Sequence, residues 1–234
     1  WRGSGESEGA FEAFHVPREE SQTVLDVVAH VQQHLDPTLA YRYACRVGMC
    51  GSCAMTVNGA PRWTCRTHVS KVAGEDGALE IAPLRNLPVI RDLAADMDPF
   101  FDKWTAAEGA FHPSRDRHDE IERIDPATAP RQAADAGIEC INCAVCYAAC
   151  DTVAANAEFL GPAALNRAWT LVNDAKDGAR DAVLDAVSAR GGCHSCHSMG
   201  SCTAHCPNGL NPMTAIAGLK RETVWRALGL GGKR

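Results

Sequence analysis

Apolar positions along this chain recur first with mixed periods and then with a helical one, and the change divides the sequence in two. Phe11-Glu12-Ala13-Phe14-His15-Val16 alternates like a half-buried strand. Thr23 with Asp26 three residues on is a capping-box signature, placed before Val24, Leu25, Val28, Val31 and Leu35 at helical spacing; Pro37 is expected to stop that helix. A short strand at Ala54 to Val57, a hairpin turn at Asn58-Gly59 and a returning strand ending in Cys65 follow, and Leu79-Glu80-Ile81 reads as one more strand. From Pro83 to Trp104, Ile90, Leu93, Met97 and Phe100-Phe101 stand at helix-like intervals, and this stretch is expected to link two domains, 1–105 and 106–234.

Beyond it, Glu108 to Gly137 carries His112-Pro113, Arg115-Asp116-Arg117-His118 and Asp125-Pro126. Ile121 and Ile124 are its main large apolar residues, so it is expected to be loop with short helical pieces, lying in solvent or on a partner. Three helices are then predicted. One starts at Gly161-Pro162 and turns Ala164, Leu165, Ala168, Trp169 and Val172 to one face, with Trp169 read as core. A second runs from Asp177 to Arg190, with Ala182, Val183, Ala186 and Val187 inward, and Gly191-Gly192 ends it. The third runs from Thr214 to Leu228, with Gly229 to Gly232 after it.

Composition narrows the function classes. A formal charge of -6 on 234 residues gives no basic face for nucleic acid, and no run of about 18 apolar residues exists to span a bilayer. The first residue is Trp1 rather than Met, which leaves a preceding targeting segment open; the visible start resembles neither a signal nor a transit peptide.

The 12 cysteines carry the chemistry. Cysteines three apart in tight runs suit chelation within one loop better than a disulfide scaffold, and a zinc protein would show paired C-x2-C knuckles instead. Cys45-x4-Cys50-x2-Cys53 with a distant Cys65 is the plant-type [2Fe-2S] spacing. Gly48 and Gly51 let such a loop wrap an anionic cluster closely, and Arg42, Arg46, Arg62 and Arg66 flank the ligands, either tuning the potential upward or serving as surface charge. Cys140, Cys143, Cys146 and Cys150 follow the bacterial C-x2-C-x2-C-x3-C pattern. Cys196, Cys202 and Cys206-Pro207 repeat it with Met199 where a cysteine is due. Because the last cysteine of each run serves the other cluster in two-cluster ferredoxins, Cys140, Cys143, Cys146 and Cys206 are expected to hold a [4Fe-4S] cluster. Cys150, Cys196 and Cys202 then suit a [3Fe-4S] cluster. Cys193 fits neither run and reads as a spare buried thiol; the sharper alternative is that it reaches the vacant corner. The predicted fold class is α+β: an N-terminal β-grasp plant-type ferredoxin domain, then a helical two-cluster ferredoxin domain.

With these sets in place the chain resembles the iron-sulfur subunit of succinate dehydrogenase and fumarate reductase over nearly its whole length. The resemblance rests on the order of the sets and on Tyr41-Arg42-Tyr43-Ala44-Cys45-Arg46, Pro88-Val89-Ile90-Arg91-Asp92-Leu93 and Cys206-Pro207-Asn208-Gly209-Leu210-Asn211-Pro212. It implies an electron wire between a partner flavoprotein bearing FAD, where succinate and fumarate interconvert, and a quinone at membrane anchor subunits that can bear haem. It further implies a peripheral place on the cytoplasmic face of a bacterial inner membrane, or the matrix face in a mitochondrion, with the [2Fe-2S] cluster toward the flavin and the three-iron cluster toward quinone. His197 stands where the family often has a histidine near the quinone pocket; His194 and His205 read as local hydrogen-bonding groups. Asp151-Thr152-Val153-Ala154-Ala155 stands where ubiquinone-linked members usually have a proline and two tryptophans, and Cys140-Ile141-Asn142-Cys143, Cys146-Tyr147-Ala148-Ala149-Cys150 and Gly161-Pro162-Ala163-Ala164 look closer to the fumarate reductase branch, which commonly uses menaquinone. The competing readings are a subunit of another flavin dehydrogenase, a free ferredoxin-like carrier and a zinc-binding interaction protein.

Overall fold

The computed structural model describes residues 1–5 and 8–230. The chain divides into two compact units, one made of Trp1–Pro99 with Ile141–Ala149, the other of Phe100–Cys140 and the chain from Cys150 onward.

The first unit is built on a three-stranded antiparallel sheet of β1 (Ala54–Val57), β2 (Ala60–Trp63) and β3 (Ile81–Ala82), in the order β2-β1-β3. Asn58 and Gly59 take φ of 48° and 76° between β1 and β2, the left-handed pair that matches a two-residue turn to strand twist. Central β1 is buried along its length. Its Met55 packs with Val28 of α1 (Val24–His30), with Val31 just after that helix, and with Leu39 and Leu93, to form the core. The capping box is present: Asp26 N–H donates to Thr23 Oγ1 at 3.2 Å, and Thr23 N–H donates to the Asp26 carboxylate at 2.9 Å. A π-helical turn over Val31–Leu35 continues α1 and ends at Asp36, before Pro37.

Several expected details change. The alternating segment 11–16 makes no strand ladder among the described residues; Phe14 and Val16 pack on the core while Phe11 is exposed, so the alternation marks a covering segment rather than a paired strand. Leu35, expected inward, is 45% exposed, because the π turn rotates it off the apolar face. The third strand begins at Ile81, since Glu80 N–H is taken by the Asn58 side chain at 2.7 Å. Between Pro83 and Trp104 only the end is helical. β4 (Val89–Arg91) and β5 (Ala94–Ala95) form a small hairpin before α2 (Asp98–Ala106) starts, and Ile90 points outward.

The second unit is helical, with α3 (Ala129–Ile138), α5 (Asp151–Ala155), α6 (Pro162–Val172), α7 (Arg180–Ser188), α8 (Ser201–Ala204) and α9 (Pro212–Ala227); α4 (Val145–Ala148) belongs to the first unit and packs on β2. Helix α6 is central, with α3, α7 and α9 around it, and it is buried on nearly every side, not only on the expected face. Its polar members are matched: Asn166 Nδ2 donates to Gly137 O at 2.9 Å. Trp169 is core, lying where any side chain at Gly218 of α9 would be. Helix α7 starts three residues later than expected, because Asp177 spends its carboxylate on the N–H groups of Ala179 and His112. Leu184, not Ala182, faces inward with Val183 and Val187. Of the closing glycines, Gly229 follows α9 with φ 69°, and Gly231 and Gly232 lie outside the described residues.

Candidate metal centres

The loop from Cys45 to Cys53 is bent by left-handed residues at Arg46, Gly48 and Gly51, with φ of 58°, 76° and 73°. The bend turns backbone donors toward sulfur. Val47, Met49 and Cys50 N–H groups donate to Cys45 Sγ at 3.5, 3.2 and 3.3 Å, and Cys45 N–H donates to Cys50 Sγ at 3.5 Å. The Ser52 hydroxyl and the Cys45 N–H bring the Cys50 pKa down from 9.0 to about 6. Cys65 sits on a 3-10 turn after β2, held by Thr64 Oγ1 donating to Cys53 O at 2.7 Å. Burial, then the adjacent Cys53 thiol, push Cys65 up to about 11, while Gly48 N–H works in the opposite direction. The hairpin therefore gathers all four thiols, with N–H donors around them, which is a donor set that fits a thiolate-held anionic cluster. Arg42, Arg46, Arg62 and Arg66 are exposed around it, and Arg46 lies over the Tyr43 ring at 4.8 Å.

The two later runs repeat each other in backbone conformation. Asn142 and Ala144 have φ of 54° and 59°; Ser198 and Gly200, at the same offsets from the first cysteine of their run, have φ of 58° and 82°. Each run then enters a four-residue helix, α4 or α8, carrying Cys146 or Cys202. Met199 thus occupies the backbone place of Cys143, with its side chain 64% exposed. In the second unit, burial raises the Cys202 pKa, and the charges of Cys150 and Cys196 push it the same way, so these three sulfurs are neighbours. Ser198 N–H donates to Cys196 Sγ at 3.4 Å. Asn208 Nδ2 donates to Glu139 O at 2.7 Å, tying the segment after Cys206 to the residue before Cys140.

The remaining candidates are placed individually. Cys193 is fully buried, 3.9 Å from Thr223 Oγ1, and burial raises its pKa. His194 Nε2 pairs with the same hydroxyl at 2.9 Å, and His205 Nδ1 with Ser201 O at 2.9 Å, so both are local hydrogen-bonding groups. His197 is exposed. Sequence spacing did not reveal Arg85 and Asn86, whose side chains donate to the last carbonyls of α4, or Lys220, whose Nζ donates to Cys196 O at 2.6 Å. None belongs to a motif with fixed spacing, and only folding brings them to the cysteine runs.

Known proteins match this arrangement. A model described as a 2Fe-2S iron-sulfur cluster binding domain matches residues 1–102, and one described as a 4Fe-4S dicluster domain matches residues 139–211. The fumarate reductase iron-sulfur subunit of Mycobacterium tuberculosis is 37% identical over 229 residues, covering 95% of this chain and 90% of that protein. The succinate dehydrogenase iron-sulfur subunit of Paracoccus denitrificans is 34% identical, covering 87% of this chain and 77% of that protein. Among solved structures, a chain of the Mycobacterium smegmatis Sdh1 complex in the apo form superposes with a TM-score of 0.84 at 28% identity, over 97% of this chain and 95% of that one.

Proposed function

The chain belongs to the iron-sulfur subunits of succinate dehydrogenases and fumarate reductases, and from that premise we propose how its residues divide the work of moving electrons. The protein is an electron-transfer subunit of such a complex and acts beside a flavoprotein and a membrane-associated part. Bound iron-sulfur clusters supply one-electron chemistry; the chain holds them, spaces them and shields them. In our reading Cys45, Cys50, Cys53 and Cys65 hold the [2Fe-2S] cluster. Cys140, Cys143, Cys146 and Cys206 hold the [4Fe-4S] cluster, and Cys150, Cys196 and Cys202 the [3Fe-4S] cluster. The observation that carries this is the repeated left-handed geometry of the two runs, with Met199 in the second where the first has Cys143.

Electrons run between the partner's FAD, on the side of the first loop, and a quinone near the second run, where exposed His197 is the polar group offered. No helix among the described residues is long and apolar enough to cross a membrane. In our reading anchor subunits, haem-bearing or not, hold the chain on the cytoplasmic or matrix face. Electron paramagnetic resonance of the oxidised complex tests the assignment: a three-iron signal is expected, and its absence, with Cys193 needed for loading, would reverse it. Succinate should reduce the clusters of the intact complex. His197→Ala should slow electron delivery to quinone and leave reduction of a dye by succinate unchanged.

A further inference from the structure

Residues Ile141–Ala149, which carry two cysteines of the second set, pack with Trp1–Pro99 as part of one unit. Two contacts inside that unit join the first cysteine loop to this segment. At Gly51, between Cys50 and Cys53, a built Cβ would lie 2.5 Å from Cys143 Cβ, 2.8 Å from Cys143 Cα and 3.4 Å from Cys143 N. No side chain fits there, so the backbone of one cysteine loop lies directly on a cysteine of the other. At the far end of the segment, Asn86 Nδ2 donates to Tyr147 O at 3.0 Å and Ala148 O at 3.3 Å. Arg85 adds donors to Ala148 O at 3.4 Å. The last carbonyls of a helix lack partners within it, so Asn86 caps α4 from a loop 61 residues earlier in sequence. Asn86 itself takes φ 64°, a conformation that Asn tolerates better than most residues.

Resting on the cluster assignment above, we propose that Gly51 and Asn86 are positioning residues for electron transfer between the [2Fe-2S] and [4Fe-4S] clusters. Gly51 sets the gap by leaving room for Cys143, and Asn86 holds the Cys143–Cys146 segment against it. In the step, one electron leaves the first cluster, which is oxidised, and enters the second, which is reduced; no bond changes and no proton moves. Transfer between clusters weakens steeply as the gap grows, and direct packing of a ligand residue on the neighbouring loop keeps that gap short.

The test uses the assembled complex as wild type, Gly51→Ala, Asn86→Gly and Gly48→Ala. Gly48 is the control for strain, since it is also left-handed but its Cβ would meet the Trp63 ring at 2.9 Å rather than Cys143. Asn86→Gly keeps the left-handed backbone and removes only the amide. Iron and sulfide are counted, magnetic broadening between the two reduced clusters is recorded, and filling of the second cluster after the first is followed by freeze-quench spectroscopy. Gly51→Ala and Asn86→Gly are expected to lose broadening and fill the second cluster more slowly, while Gly48→Ala, which perturbs the [2Fe-2S] signal itself, is expected to keep the broadening. Loaded variants with wild-type broadening and filling would overturn the proposal. If Gly51→Ala does not load, Asn86→Gly decides by the same two readings. A wild-type complex without iron and sulfide would instead bring down the cluster assignment, and the junction with it.

Discussion

Asp92 shows how much one residue can hold. It is 2% exposed, and it accepts hydrogen bonds from Arg2 Nε at 3.0 Å, Gly3 N–H at 3.1 Å and Ala40 N–H at 2.9 Å. Arg2 also pairs with Asp36, so the N-terminal segment, the chain after α1 and the β4–β5 turn meet at this carboxylate. Asp92→Ala strands those donors and is expected to cost about 3 kcal/mol, read as a lowered urea midpoint, with Asp92→Asn costing less. The thiols of the first loop give a second prediction. In protein stripped of iron, Cys50, with its pKa lowered to about 6, is mostly thiolate at pH 7, whereas Cys65, raised to about 11, is mostly thiol. Since the thiolate is the nucleophile, iodoacetamide at pH 7 should modify Cys50 well before Cys65. Lowering the pH through about 6 should remove the difference as Cys50 protonates; peptide mass spectrometry reads both.

Among the elements, α1 and α9 are held by different means. Helix α1 depends on its cap, and Thr23→Ala should destabilise the protein by about 1 kcal/mol in a thermal or urea melt. Helix α9 depends on close approach to α6: a Cβ at Gly218 would lie 2.5 Å from the Trp169 ring. Alanine improves helix propensity by about 1 kcal/mol, but forcing the indole aside costs about 1–3 kcal/mol, so Gly218→Ala should lower the melting temperature rather than raise it. Ion pairs brace the same region, with Arg180 on Glu222 at 2.8 Å and Arg226 on Asp185 at 2.9 Å. The helical period in the sequence located α6, α7 and α9, the inward face of α6, and Val183 and Val187 of α7. It missed Leu184 and the late start of α7, because Asp177 is drawn into hydrogen bonds with a distant loop.

For the whole molecule, metal chelation and folding are expected to be coupled. The three cysteine loops hold non-glycine residues, Arg46, Asn142, Ala144 and Ser198, in left-handed conformations that are unfavourable unless something holds them. Thiolate bonds to a cluster would do so, and binding free energy would then count as folding free energy. Removing iron and sulfide is therefore expected to lower the thermal midpoint and broaden the transition followed by circular dichroism, and reconstitution should restore both.

The cysteine sets, their order, the substitution at Met199 and the family were legible in the order of residues alone, because ligand spacing is local and a loop of a few residues is bound to its geometry. That order also marked the strands and helices whose period is regular. Which segments pack together became visible in the folded chain. Segment 11–16 covers a core instead of pairing, Cys193 lies buried against Thr223, Asn86 caps a helix that begins almost sixty residues later, and Gly51 is the seat for Cys143. These are contacts between residues far apart in the chain. Their partners are chosen by shape and by unsatisfied backbone groups, which leave no repeating mark in the order of amino acids.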